Sequence, residues 1–218
     1  MLSARSSAGP GHEPTDATTG NGDLRRRRGA RREHTRILIV TEGKNTEYQY
    51  FNGLVRTLRE TGARVVSAKV IGIGKDPESL VRKALAYRDR DDDLDGCWCV
   101  VDVDAHAKLR QSISLAAKSG VMLAISNPCF EVWLLWHYEN HTGHIERANL
   151  RRMVRRYGHP DNKNLPTSFP FDRNSAASSR AAQAAPACVP GACGPNPSSS
   201  VVTLVDHITG RTSGPRKS

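Results

Sequence analysis

Two carboxylates close the apolar run Cys97-Trp98-Cys99-Val100-Val101: Asp102 and Asp104, spaced by two and therefore on one side of an extended strand end. Charge at the end of a buried-type strand asks for a counter-ion, and a divalent cation bound by oxygen ligands supplies one. A second apolar run, Arg36-Ile37-Leu38-Ile39-Val40-Thr41, finishes on Glu42-Gly43, where the glycine allows backbone to come close to phosphate. Taken singly, each is ordinary: an acid in a turn is usually solvated, and Asp-x-Asp is a common pattern. Together they say more. Ligands of open α/β sheets sit just beyond the carboxyl ends of the strands, so Glu42, Asp102 and Asp104 are expected to converge on one metal site.

A fourth acid, Glu131, stands in the apolar stretch Cys129–Tyr138 among Phe130, Val132, Trp133, Leu134, Leu135 and Trp136. Such a segment is expected to be a buried helix, and a carboxylate in it needs a metal, an arginine or backbone donors as partner. Glu131 is therefore taken as a catalytic candidate beside the other three. Lys44 and Lys75 each follow a glycine-containing turn and are candidate phosphate contacts, although a lone loop lysine is more often simply solvated. His106 and His137 are read as structural histidines, and Phe130, Trp133 and Trp136 as core rather than base-stacking residues. Gly72-Ile73-Gly74-Lys75 lacks the length and the Ser/Thr of a nucleotide-binding phosphate loop.

The elements that must position these residues follow from hydrophobic period. Strands are expected at 36–41, 64–71, 97–101 and 121–125, and helices at about 45–59, 77–88, 105–118, 129–138 and from beyond His144 to 156. A short helix near 175–185 and a last one starting near Ser198 complete the set. Asp76-Pro77-Glu78 is a helix start, with proline in the first turn and acids toward the dipole. Strands alternating with helices imply a mainly parallel sheet, here an α/β core over 35–145 with a helical C-terminal extension over 146–210. Residues 1–34 read as a disordered basic arm and 211–218 as a disordered tail.

The chain has 218 residues and a net charge of +10, which favours phosphate-rich partners. Arg25-Arg26-Arg27-Arg28, followed by Arg31 and Arg32, makes the arm either a nucleic-acid contact or a solvated tail. Of the 5 cysteines, Cys97 and Cys99 share a strand face and look like packing. No disulfide framework or zinc signature is evident. No segment approaches the roughly 20 apolar residues that span a bilayer, and Met1-Leu2-Ser3-Ala4-Arg5 lacks a secretory core, so a cytoplasmic protein without membrane contact is expected.

Glu-Gly after the first strand and Asp-x-Asp after the third resemble the Toprim catalytic domain of topoisomerases, primases and related nucleases. That resemblance implies Mg2+ (or Mn2+) held by Glu42, Asp102 and Asp104 for phosphodiester chemistry. It also offers Glu47 as an acid near a second metal, one residue later than in those nucleases; the alternative is a helix-start acid favoured by the dipole. Three segments in order look like the RloB family: Ile39-Val40-Thr41-Glu42-Gly43-Lys44-Asn45-Thr46-Glu47 with Tyr50-Phe51, then Trp98 to Asp104, then Ser126 to Leu135. Asn196-Pro197-Ser198-Ser199 also resembles the family's C-terminal pattern. The implied protein is a Toprim-like, Mg2+-dependent nuclease acting on DNA or RNA in bacterial anti-phage defence, with an ATPase as a partner. A non-catalytic nucleic-acid-binding or sensor subunit is the alternative, and a primase-like enzyme is a weaker third.

Overall fold

The computed structural model describes residues 35–61, 67–73, 76–103 and 108–211. Within them the β-branched, doubly apolar segments form the strands β1 (Arg36–Thr41), β2 (Ser67–Gly72), β3 (Gly96–Asp102) and β4 (Met122–Asn127), the near-continuous apolar composition expected of a sheet covered on both faces. The helices are α1 (Thr46–Glu60), α2 (Pro77–Arg88), α3 (Leu109–Ser119), α4 (Glu131–Trp136), α5 (Arg147–Arg155), α6 (Asn174–Ala184) and α7 (Val201–Thr209). A two-residue strand, β5 (Ser198–Ser199), completes a five-stranded sheet in the order β2-β1-β3-β4-β5. Strands β1 to β4 are parallel, and β5 runs antiparallel to β4. The expected α/β class and the adjacency of the first and third strands are both observed.

Alternation along each strand divides the core in two. Leu38, Val40, Cys97, Cys99, Val101, Leu123 and Ile125 face α2 and α3, whose Leu80, Val81, Ala84, Leu109 and Ala116 cover them. Cys97 and Cys99 are free, buried thiols on this face, as their spacing suggested. On the other face Ile37, Ile39, Trp98, Val100 and Ala124 lie beneath residues of α1, α4, α5, α6 and α7. This larger core contains Phe130, Trp133 and Trp136, all essentially inaccessible, so the aromatics of the apolar segment are packing residues. At about 25 cal/mol per Å² of apolar surface removed from water, each such side chain contributes on the order of 2–3 kcal/mol.

His137 is buried in the same cluster. Its Nδ1 lies 3.0 Å from the Trp133 carbonyl, and its Nε2 lies 3.3 Å from the Tyr50 hydroxyl. Burial holds its pKa down to about 4, so the ring is neutral and serves structure, as the sequence suggested.

Some boundaries differ from expectation. The apolar helix is shorter than 129–138, because its ends are closed by tight turns: Val132 N–H donates to the Cys129 carbonyl and His137 N–H to the Leu134 carbonyl. The last helix begins at Val201 rather than near Ser198. Ser198 and Ser199 instead pair with Asn127 and Ser126, and the Ser126 and Ser199 hydroxyls lie 2.8 Å apart. The strand expected from 64 is described from Ser67, and the helix expected from 105 from Leu109. The basic arm, the C-terminal tail beyond Arg211, Lys75, Asp104 and His106 lie outside the described residues. Among those described, no helix is long and apolar enough to cross a membrane.

Candidate metal centre

Parallel strands carry their carboxyl ends to one edge, and register decides which residues meet there. Thr41 is paired with Val100, and Glu42 N–H donates to the Val100 carbonyl at 3.2 Å. Asp102, two residues further along β3, is paired with Ser126 of β4, whose continuation delivers Glu131. Three strand ends thus supply Glu42, Asp102 and Glu131 to one cavity of about 480 Å³, lined also by Lys44, Glu47, Arg147 and Lys163.

Glu47 reaches this cavity from the first turn of α1 because Gly43 has no side chain. A Cβ on Gly43 would overlap Glu47 Oε2, so the carboxylate occupies the space a side chain would fill. The turn itself is held down by Thr41, whose hydroxyl donates to the Gly43 carbonyl at 2.7 Å. Gly72 at the end of β2 lets it lie flat: a Cβ there would meet Lys44 Cα at 2.8 Å and the Gly43 carbonyl oxygen at 3.0 Å.

Asp102 is fixed on two sides. Its Oδ1 accepts from the Phe130 amide at 2.9 Å, and its Oδ2 accepts from the Arg147 guanidinium at 3.1 Å. The first of these bonds ties β3 to the residue before Glu131, and the second ties it to the start of α5. Glu131 in turn faces Arg151 Nε at 3.7 Å, an ion pair of looser geometry. Asp102 and Glu131 are only 14% and 18% exposed at their side chains, so both charges are largely withdrawn from water.

Like charges at close range raise carboxyl pKa values. Burial pushes Glu47 up from 4.5 to about 7, with Glu131 and Glu42 adding to the rise and Lys163 opposing it. Asp102 is held well above the usual carboxylate range, first by burial and then by Glu47 and Glu131, with Arg147 opposing. A divalent cation would offset both the burial cost and the repulsion, so the residues present fit a metal.

Oxygen and sulfur donors meet here too. One carboxylate oxygen each of Asp102 and Glu131 and the Cys129 Sγ all lie within 4.8 Å of one another, a candidate metal-binding group. Nothing in the sequence pattern placed Cys129 in it. Burial together with the Glu131 and Asp102 charges keeps its thiol strongly protonated, whereas ligating sulfur must be thiolate. The carboxylates are the better donors for hard cations such as Mg2+ or Mn2+.

Of the expected residues, Glu42, Lys44, Glu47, Asp102 and Glu131 line the one cavity. Asp104, Lys75 and Arg25 to Arg28 cannot be placed, lying outside the described residues. Arg147, Arg151 and Lys163 were missed. The arginines had a legible signal, since an i, i+4 pair shares one helix face while Leu150 and Val154 of the same helix are buried. Lys163 had none: it adopts a left-handed φ of 62°, held because Thr46 donates to its carbonyl at 2.6 Å while Gln49 bonds Asn164 and Leu165.

Fold and site together define a class: a three-layer α/β protein whose sheet edge presents a carboxylate cavity bordered by basic side chains. The chain belongs to the RloB-like protein family, whose model matches residues 37–208, from the second residue of β1 into α7. No curated protein and no solved structure matches it.

Proposed function

We propose that this protein is a Mg2+- or Mn2+-dependent phosphodiester-cleaving nuclease of Toprim type, acting on DNA or RNA in anti-phage defence. The observation that carries the reading is the convergence of Glu42, Asp102 and Glu131 from three strand ends, with Glu47 folded over Gly43, on one basic-rimmed cavity. Glu42 and Asp102, with Asp104, are the proposed ligands, and Glu47 is placed to serve a second ion or to accept a proton. Its pKa of about 7 suits proton transfer near neutral pH. Glu131 is placed beside them to orient water or complete the ligand set. A bound divalent cation supplies Lewis-acid polarisation of the phosphodiester and acidifies water. Lys44 and Lys163 stand at the rim, where a phosphate backbone would be neutralised.

The test is incubation of the purified full chain and its Asp102→Asn variant with DNA, tRNA and total RNA, in Mg2+, in Mn2+ and in chelator. Cleavage by the wild type that is lost in chelator and lost in Asp102→Asn, with circular dichroism unchanged, is the expected result, because Asn keeps the shape but not the charge. Equal cleavage by the two proteins would remove the proposed site. A wild type that binds but cleaves nothing would favour a non-catalytic sensor subunit working with a partner such as an ATPase.

A further inference from the structure

The helix α5 presents Arg147 and Arg151 one turn apart, and each guanidinium faces a carboxylate of the cavity: Arg147 on Asp102 at 3.1 Å and Arg151 on Glu131 at 3.7 Å. These are two of the carboxylates that line the cavity and enter the candidate metal-binding group. An arginine that pairs with a ligand competes with the metal for it, yet its fork geometry suits phosphate as well as carboxylate. Neither side chain is locked away, being 32% and 43% exposed, and both line the cavity itself. The helix is held independently of the two ion pairs: Leu150 and Val154 are buried, and Asn196 bonds both the amide and the carbonyl of Ile145 just before it, at 3.1 and 3.0 Å. Movement of the guanidiniums therefore does not require movement of α5.

We propose that Arg147 and Arg151 form a phosphodiester-binding pair that occupies Asp102 and Glu131 in the free protein and transfers to a substrate phosphate when the cation binds. The inference rests on the metal-site reading above. Its consequence is reciprocal coupling: whatever draws the guanidiniums away from the carboxylates raises cation affinity, and the cation raises affinity for phosphodiester by the same factor. It also separates two properties that a purely structural arginine would join. Removing Arg147 is expected to tighten the cation and loosen the nucleic acid.

Manganese is titrated calorimetrically into the full-length wild type, Arg147→Met and Arg151→Met, alone and with a cleavage-resistant phosphorothioate oligonucleotide. The wild type is expected to bind Mn2+ more tightly with the oligonucleotide present. Arg147→Met is expected to bind Mn2+ about tenfold more tightly than the wild type without it, and to lose most of the gain the oligonucleotide confers. Arg151→Met, with its looser pair, should shift the same way by a smaller factor, and it keeps the test decisive if Arg147→Met does not fold. Weaker or unchanged Mn2+ affinity in the variants, or undiminished coupling, overturns the pair while leaving the metal site standing. Absence of Mn2+ binding in the wild type overturns both.

Discussion

Glu47 is a carboxylate that the fold keeps at a cost, and replacing it with glutamine is expected to stabilise the metal-free protein. Its pKa rises from 4.5 to about 7 on folding, so between those values the folded chain holds more proton than the unfolded one. Stability therefore falls as pH rises through this window. The penalty is absent below the unfolded pKa and fully present above the folded one. At about 1.4 kcal/mol per pH unit the shift corresponds to about 3 kcal/mol, an upper figure because the group is half-buried rather than sealed. For a chain of this size that is about 6–12 °C in melting temperature. The assay is thermal unfolding of wild type and Glu47→Gln in chelator. The variant should melt several degrees higher at about pH 8, and the two should converge at about pH 4.5. Saturating Mg2+ or Mn2+ should erase the advantage at the higher pH, since the cation compensates the buried charge and relieves the repulsion from Glu131 and Glu42. A Glu47→Gln protein no more stable than wild type at high pH, or one whose advantage is independent of pH, would refute the burial of this carboxylate beside Glu131 and Glu42.

Gly72→Ala should destabilise by about 1–3 kcal/mol in denaturant unfolding, because the new Cβ meets backbone of the Gly43-Lys44 turn and not a flexible side chain; a neutral result would show that this turn yields freely. Deleting residues 1–34 should weaken nucleic-acid binding and flatten its logarithmic salt slope by roughly 0.7–0.9 for each phosphate the arm neutralises, without altering the metal requirement. An unchanged slope in a filter-binding titration would make the arm a solvated tail.

Most of the sheet was legible because both of its faces are covered. Ile37-Leu38-Ile39-Val40 and Cys97-Trp98-Cys99-Val100-Val101 are apolar at every position, and only a strand buried on two sides uses residues that way. The acids at their ends stood out against that background. Less legible was anything brought in by tertiary pairing. Ser198 and Ser199 carry no strand signal, yet they complete the sheet because Ser126, Asn127 and Ile125 supply partners, the last donating its amide to Ser200 Oγ at 2.8 Å. Cys129 opens the apolar segment and carries no ligand signal of its own; the Asp102–Phe130 hydrogen bond joins the residue after it to the carboxylate beside which its sulfur lies. The Lys163 turn depends on bonds to Thr46 and Gln49 of α1 that span 117 and 115 residues of chain, which no local pattern encodes.

The cluster also bears on the choice between an enzyme and a binding subunit. A surface that only attracts nucleic acid needs cations, and buried carboxylates beneath it oppose the attraction. Here Asp102 and Glu131 line a cavity together with Lys44, Arg151 and Lys163, and the raised pKa values of Glu47 and Asp102 come first from burial and then from the neighbouring acids. Neutral residues of similar volume would remove that cost and strengthen binding to a polyanion. Carboxylates held at this cost of burial and repulsion are understandable where a divalent cation is to be bound and a phosphate brought against it, since the cation then offsets both and adds attraction for the substrate. A binding subunit predicts that Asp102→Asn raises nucleic-acid affinity in Mg2+; the nuclease reading predicts that it lowers it, because the charge that would hold the cation is gone. Measuring that one affinity, in Mg2+ and in chelator, separates the two by the sign of the change.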